Sequence, residues 1–597
     1  MIDASQPSPI GLLEQRSARR AGDETEMARV VIDPVTRIEG HLRIEVEVEG
    51  KSVTDAWSSG TMFRGIEKIL HGRDPREAWI WAQRICGVCT TVHALASVRA
   101  VEDAVGVEVP ENATLVRNII AGSQNVQDHI IHFYHLHALD WVDVTLALKA
   151  DPAKTSQIAQ SISDWPKSSA SYFKGIQDRV RTLVSSGQLS LFSSGDWGHP
   201  AYILPPEVNL LAVAHYIEAL DVQREFIRIH AVLGGKNPHP QTYLVGGMAT
   251  GMDGNEPGAA LNPVTVTLLT QLVKNAKSFI EQVYLPDVVA IAGFYKDWFQ
   301  YGQGIGNYMA YGDYTTGSIK DPAGFLFPRG ILLGRDLSTV HSLDPTHVSE
   351  YVTHSWYTYA EGDQVSKHPS QGETSPHYSG PKPPFDFLNT DEKYSWVKSP
   401  RYDDAAMEVG PLARTLIAYA SGNEPVKKIV DATLAKLNLP LTALFSTMGR
   451  IAARALEAEI MVGHLEDWVA KLDDNMAHGD VRIHNGEKWN PDTWPKSCQG
   501  FGLHEAPRGS LGHWVEIEDK KIVNYQAVVP STWNSGPRDA KGQRGAYEAA
   551  LQGTPVVDPD RPLEVLRTVH SFDPCMACAV HVVQADGSAY GRKALVI

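Results

Sequence analysis

Four of the chain's five cysteines fall into two C-x-x-C pairs: Cys86 and Cys89 in R-I-C-G-V-C-T-T-V-H, and Cys575 and Cys578 in H-S-F-D-P-C-M-A-C-A-V-H. Two-residue spacing lets both sulfurs of a pair turn toward one centre, which is why such pairs recur in metal sites. Two separate redox dithiols, or cysteines buried as small hydrophobes, are the plainer readings. If the pairs converge, four thiolates suit structural zinc, an iron–sulfur cluster or another soft transition metal. Structural zinc ties a local module together, whereas most of this chain lies between the pairs. A metal here would clamp the two ends of the whole fold, which suits a buried catalytic centre better. Neither pair has the small βαβ context of a thioredoxin-like dithiol.

Elements that position these residues can be read along the chain. Arg29 to Asp33, His41 to Glu49 and Val53 to Ser58 alternate apolar and polar residues and predict a small antiparallel sheet. Between its strands, Asp33 to His41 concentrates charge in R-I-E-G-H, either as a solvated turn or as a segment that leaves the sheet to reach something. Asp74-Pro75 starts a helix that ends near Arg84 and delivers Cys86 and Cys89 at a helix junction, with a second helix over Val92 to Val105. Helical patterns follow over Ala113 to Ala150, Pro206 to Leu233, Pro263 to Ile280, Ala405 to Ala420 and Val426 to Leu472. His129, His132, His135 and His137 cluster beside Asp128, but without an H-E-x-x-H motif they read as core or interface histidines. Trp298 to Tyr402 is rich in Gly, Pro, Ser and aromatics and reads as loops and short strands over the helical core. Near the C-terminus, His513 to Ile517 and Lys521 to Val529 form a hairpin, bracketed by loop-like E-A-P-R-G and P-S-T-W-N. The pattern as a whole is α+β, predominantly α-helical, with small peripheral antiparallel sheets.

Composition limits the function. A hydrophobic fraction of 43% over 597 residues supports a large core. The net charge of −16 argues against a nucleic-acid surface. Five cysteines make no disulfide framework in a chain this long. No stretch approaches the roughly twenty apolar residues of a membrane span. Residues 1–27 read as a disordered leader; Arg19-Arg20 lacks the apolar region of a twin-arginine signal.

The segments R-I-E-G-H, G-T-M-F-R-G-I-E, R-I-C-G-V-C-T-T-V-H, E-A-P-R-G and D-P-C-M-A-C-A-V-H, in this order, resemble the large, catalytic subunit of nickel–iron hydrogenases. H-F-Y-H-L, G-G-K-N-P-H-P, E-V-G-P-L-A-R and V-V-P-S-T-W-N extend the resemblance, which runs from about Ala28 onward and is nearest the membrane-associated respiratory uptake type. It implies a single helical-bundle-centred catalytic domain over 28–581 and heterolytic cleavage of H2 at a Ni-Fe(CO)(CN)2 centre. Cys86 and Cys575 would be terminal on nickel, and Cys89 and Cys578 would bridge to iron. Arg508 and Ser531 match the donors to cyanide, while Pro507 and Val529 would line the carbon monoxide side. Cys575 would accept the proton and Glu39 relay it outward. Arg508, Asp128 and Asp573 resemble the charged canopy over the open coordination site. His93 matches an outer histidine near a bridging sulfur. Glu67, the Ala527 carbonyl and His581 match a second metal site, usually magnesium. Val88 and Leu136 match gas-channel positions.

The resemblance also implies partners. Five cysteines cannot build both this centre and an electron wire, so no iron–sulfur cluster is expected in this chain. Electrons would leave through an obligate iron–sulfur small subunit, then a membrane cytochrome b or other acceptor subunit. A maturation endopeptidase would remove 582–597 after His581. The pair would sit peripherally on the periplasmic side of the cytoplasmic membrane, co-exported on the small subunit's signal. Two other classes remain beside this one: a structural four-cysteine metal protein, and a non-catalytic relative of the respiratory-complex quinone-site subunit.

Overall fold

The computed structural model describes residues 27–187, 194–380 and 387–579, together with 18, 19, 189 and 192. Its centre is helical. The long helix Thr447–Ala477 packs against Glu111–Ile131 and Pro263–Phe279, burying Ile119, Leu269, Met461 and Leu465 in the larger apolar core. No helix among the described residues is long and apolar enough to cross a membrane.

A second core encloses the four cysteines between two sheets. One sheet is antiparallel in chain order, with strands Ala18–Arg19, Met27–Ile32, Leu42–Glu49 and Ser52–Gly60. The other is a meander of Ser497–Ala506, Gly509–Glu518 and Lys521–Val528. Helix Val92–Val105 lies directly on the first strand of this meander. A Cβ on Gly500 would come within 2.3 Å of Ala104 N, and one on Gly502 within 2.0 Å of Ala96 O. Only glycine permits that approach of helix backbone to strand.

Several sequence expectations need correction. The single segment Val426 to Leu472 is two helices, Glu424–Leu437 and Thr447–Ala477, broken where Asn438 takes φ 54° and Pro440 follows. The pattern expected over Ala113 to Ala150 is α-helical only to Ile131; it then widens into a π-turn at His132–His137 and short 3₁₀ turns. The segment expected from Ala405 begins only at Pro411. E-A-P-R-G is not a loop. Glu505 and Ala506 end one strand, Gly509 pairs with Ala506, and Pro507-Arg508 form the two-residue tip between them. Ser497–Ala506 was hidden because its glycines mimic a loop. P-S-T-W-N is likewise helical, within Pro530–Ser535.

Candidate metal centre

The four cysteines meet. Their sulfurs all lie within 4.8 Å of one another, and all four residues are buried. Cys89 and Cys578 approach to 2.8 Å, Cys575 and Cys578 to 3.0 Å, Cys86 and Cys575 to 3.4 Å. Cys86 and Cys89 occupy the turn between the 3₁₀ segment Gln83–Ile85 and helix Val92–Val105. That turn is gripped by its carbonyls. Arg64 Nη2 donates to Arg84 O at 2.8 Å and Nη1 to Ile85 O. His239 Nε2 reaches Cys86 O at 3.1 Å, and Gln124 Nε2 donates to Val88 O at 3.0 Å. Gln124 Oε1 also accepts from Thr91 N.

Cys575 immediately precedes the short helix Met576–Ala579, which carries Cys578. The R-I-E-G-H loop leaves its sheet and docks there: Glu39 N donates to Pro574 O at 3.2 Å, and Met576 N to Glu39 O at 2.7 Å. The Glu39 carboxylate reaches the site itself, accepting from Cys575 Sγ at 3.2 Å and Ala577 N at 2.9 Å. Burial, with the nearby Cys86 sulfur, pushes the Glu39 carboxyl up to about 7 despite these bonds. Cys575 N donates to Ser531 Oγ at 3.0 Å. Burial also pushes the Cys575 and Cys578 thiols up; a bound cation would reverse this and hold them as thiolates.

Over the sulfurs stands a buried ion cluster. Arg508 Nη1 donates to Asp128 Oδ2 at 2.9 Å, and Nη2 to Asp573 Oδ1 at 2.9 Å. Burial opposes charge on Arg508, but Asp573 and Asp128 more than offset it, so its pKa lies well above the usual value. Burial pushes Asp128 up to about 7 against the pull of Arg508. Arg508 also borders a small cavity. Cys89, Cys575 and Cys578 border it with Pro507 and Ser531, and Val92, Leu511 and Pro530 form its apolar wall. Val529 is buried in the core around it.

His93 Nε2 lies 3.3 Å from Cys578 Sγ, and its Nδ1 lies 3.0 Å from His513 Nε2. His513 Nδ1 meets the Tyr525 hydroxyl at 2.5 Å. His513 and Tyr525 escaped sequence reasoning, because only the register of the meander brings them beside His93. Their sole signal was inward alternation on the hairpin. Elsewhere, buried Glu67 accepts from Ala527 N at 3.0 Å and Thr374 Oγ1 at 2.5 Å. Gln526, Lys398 and Glu350 extend this cluster and were also missed: Lys398 Nζ donates to Gln526 Oε1 at 3.1 Å and Glu350 Oε2 at 3.3 Å. His581 and 582–597 lie outside the described residues. Val88 is 38% exposed and Leu136 half-buried. The clustered histidines act as core ties: His132 to His570 O at 2.6 Å, His135 to Tyr216 O at 3.2 Å and His137 to Arg567 O at 3.1 Å. Burial lowers the pKa of each.

Four convergent buried sulfurs, three of them bordering a small cavity together with the buried Arg508, suit a catalytic metal centre better than a closed structural clamp. The sequence profile described as nickel-dependent hydrogenase matches residues 64–581, and a HoxL-like profile matches 29–57. The chain is 51% identical to the uptake hydrogenase large subunit of Bradyrhizobium diazoefficiens, covering 94% of this chain and 97% of that one. It is 50% identical to the hydrogenase-1 large chain of Escherichia coli K12, covering 94% and 96%. Among solved structures, a [NiFeSe] hydrogenase variant from Desulfovibrio vulgaris Hildenborough superposes with a TM-score of 0.74 at 36% identity, over 93% of this chain and 100% of that one. This chain belongs to the nickel-dependent hydrogenase family, as a large subunit, and is an oxidoreductase acting on hydrogen. Its four-cysteine cluster fits the metal site of that family.

Proposed function

We propose that the chain oxidises H2 heterolytically, with Cys86 and Cys575 as terminal nickel ligands and Cys89 and Cys578 shared with an iron that carries one carbon monoxide and two cyanides. The observation that carries this is the cavity. It is bordered by Cys89 and Cys578, the closest sulfur pair, together with the apolar Pro507 and with Arg508 and Ser531 as donors. That is the surround a cyanide- and carbon monoxide-bearing iron needs. When bound, the nickel–iron group supplies the polarisation that splits H2 and takes up its two electrons.

The chain's own residues handle the proton. Cys575 Sγ receives it, and Glu39 Oε2, 3.2 Å away, carries it outward. The Ala577 N–H fixes that carboxylate in place. A guanidinium is a poor base, since its pKa exceeds about 12. Arg508 therefore polarises H2, held between Asp128 and Asp573. His93, in line with His513 and Tyr525, orients and tunes Cys578. Glu67, with its remaining carboxylate lone pairs, the Ala527 carbonyl and His581 would hold magnesium.

Electrons leave to an iron–sulfur small subunit and onward to a cytochrome b or other acceptor subunit. The pair resides on the periplasmic face of the cytoplasmic membrane, and an endopeptidase removes 582–597 during maturation. Metal analysis of the processed chain tests the centre: stoichiometric nickel and iron are expected, and zinc alone would overturn it. Infrared spectra should carry carbon monoxide and cyanide stretches, and their absence from an active preparation would overturn the iron ligation.

A further inference from the structure

The segment Glu408 to Arg414, E-V-G-P-L-A-R, takes no part in the site described above, yet its last side chain ends directly behind it. Arg414 is fully buried in helix Pro411–Ala420. A guanidinium has five N–H donors, and here each has an acceptor. Nε donates to Glu457 Oε2 at 2.8 Å. Nη2 donates to Glu457 Oε1 at 2.6 Å and the Pro507 carbonyl at 3.0 Å. Nη1 donates to Glu505 Oε2 at 2.7 Å and the Ala506 carbonyl at 2.8 Å. The two carbonyls are those immediately before Arg508.

Glu457 faces the other way. On the long helix Thr447–Ala477, its Oε1 also accepts from Asn125 Nδ2 at 2.7 Å and bonds His129 Nε2 at 2.9 Å. Asn125 and His129 lie on the helix Glu111–Ile131 that carries Asp128. One guanidinium–carboxylate pair thus grips both the hairpin tip bearing Arg508 and the helix bearing its partner Asp128. The backbones close in as well. Gly410 has φ 130°, and a Cβ there would stand 3.1 Å from Arg508 O; a Cβ on Gly509 would stand 2.7 Å from Gly410 N.

We infer that Arg414, braced by Glu457, is a positioning residue for hydrogen cleavage: it fixes where the Arg508 guanidinium stands over the sulfurs relative to Asp128. The inference rests on the role given to Arg508 above. Lysine would keep the charge but offers three donors from a single point, which cannot span two carbonyls and two carboxylates.

The test uses the purified, metal-loaded enzyme with its small subunit. Arg414→Lys should keep its nickel and iron and the KM for H2, while kcat falls about 10- to 100-fold and the carbon monoxide and cyanide infrared bands move. Loaded Arg414→Lys with wild-type kcat and unmoved bands overturns the inference. If that variant does not accumulate loaded, Asn125→Ser decides. It leaves all five Arg414 bonds and removes one strut to the Asp128 helix, so a smaller displacement of the same bands with reduced kcat is expected. Unmoved bands and wild-type kcat in loaded Asn125→Ser overturn the inference. Arg117→Lys is the control: Arg117 is a buried guanidinium on the same helix, bonded to Glu102 and away from the hairpin tip. It should lower Tm and leave the bands in place; an equal band shift in Arg117→Lys overturns the inference. Arg508→Lys separates the two readings. If it turns over normally, the role of Arg508 fails. If it is impaired while Arg414→Lys and Asn125→Ser are normal, only the present inference fails.

Discussion

The two cysteine pairs contribute equal numbers of sulfurs but are held in different ways. Around Cys86 and Cys89, long side chains grip the backbone: Arg64 takes the carbonyls of Arg84 and Ile85, His239 that of Cys86 and Gln124 that of Val88. Around Cys575 and Cys578, side chains reach the sulfurs themselves, Glu39 at Cys575 and His93 at Cys578. A carbonyl grip sets where a sulfur is; a donor or carboxylate at the sulfur sets what it does. On the function proposed above, all four sulfurs hold the metal, and the side chains at the second pair would add proton transfer and electronic tuning.

Substitutions should separate these roles. The largest effect is expected from Glu39→Gln, which keeps the carbonyl that accepts Ala577 N–H but cannot take up a proton. H2 uptake should fall at least about 100-fold with metal content unchanged, measured by hydrogen-dependent dye reduction and metal analysis. Full activity would remove Glu39 from the proton route. His93→Ala strips the contact from Cys578 and should lower turnover about tenfold while displacing the infrared bands. Bands that stay at their wild-type positions would place His93 with the residues that only hold the backbone.

Arg64→Met acts on the first pair. Losing its bonds to the Arg84 and Ile85 carbonyls should cost about 1–3 kcal/mol of stability, read as a lower Tm, while turnover per loaded site stays within about twofold. A large loss of turnover per loaded site would erase the distinction between the pairs. The smallest effect concerns the frame that joins them. Glu548 bonds Ser58 N at 3.1 Å and the Tyr394 hydroxyl at 2.9 Å, and burial pushes its carboxyl up to about 7. The folded chain therefore holds a proton that the unfolded chain releases near pH 4.3, roughly the free glutamate value. The stability this gives is complete below that pH and is lost as pH rises toward 7. Glu548→Gln removes the linkage, so Tm plotted against pH between 5 and 7 should slope less steeply than in wild type. An unchanged slope would assign the proton elsewhere.

Much of this was legible in the sequence where local chemistry and local structure agree. The helix Val92–Val105 was readable because its apolar run stops at Gly106, which takes the left-handed conformation as helix ends require. The strand Ser497–Ala506 was not, because Gly500 and Gly502 serve a neighbouring helix rather than a turn, and a single sequence does not distinguish these uses. The break at Asn438 is marked in the sequence only by Pro440, and the apolar periodicity on both sides runs on across it. At the site, the sulfurs and Glu39 announced themselves by motif. His513, Tyr525, Thr374 and Lys398 did not, since each is placed by register or by loops far away in the chain. Arg414 was visible only as part of a motif without a role.

The docking of Glu39 between Pro574 and Met576 also imposes an order of events. The chain emerges from the ribosome with its first cysteine pair and its N-terminal sheet long before Cys575 exists. Until then the backbone groups of Glu39 have no partners, and the basket stands open on that side. Closing it brings together segments separated by most of the chain, at an entropic cost that grows only logarithmically with that length. The final stretch therefore closes the site as a clasp would, and the bonds that close it, Glu39 N to Pro574 O and Met576 N to Glu39 O, can form only after the last cysteine pair has been made.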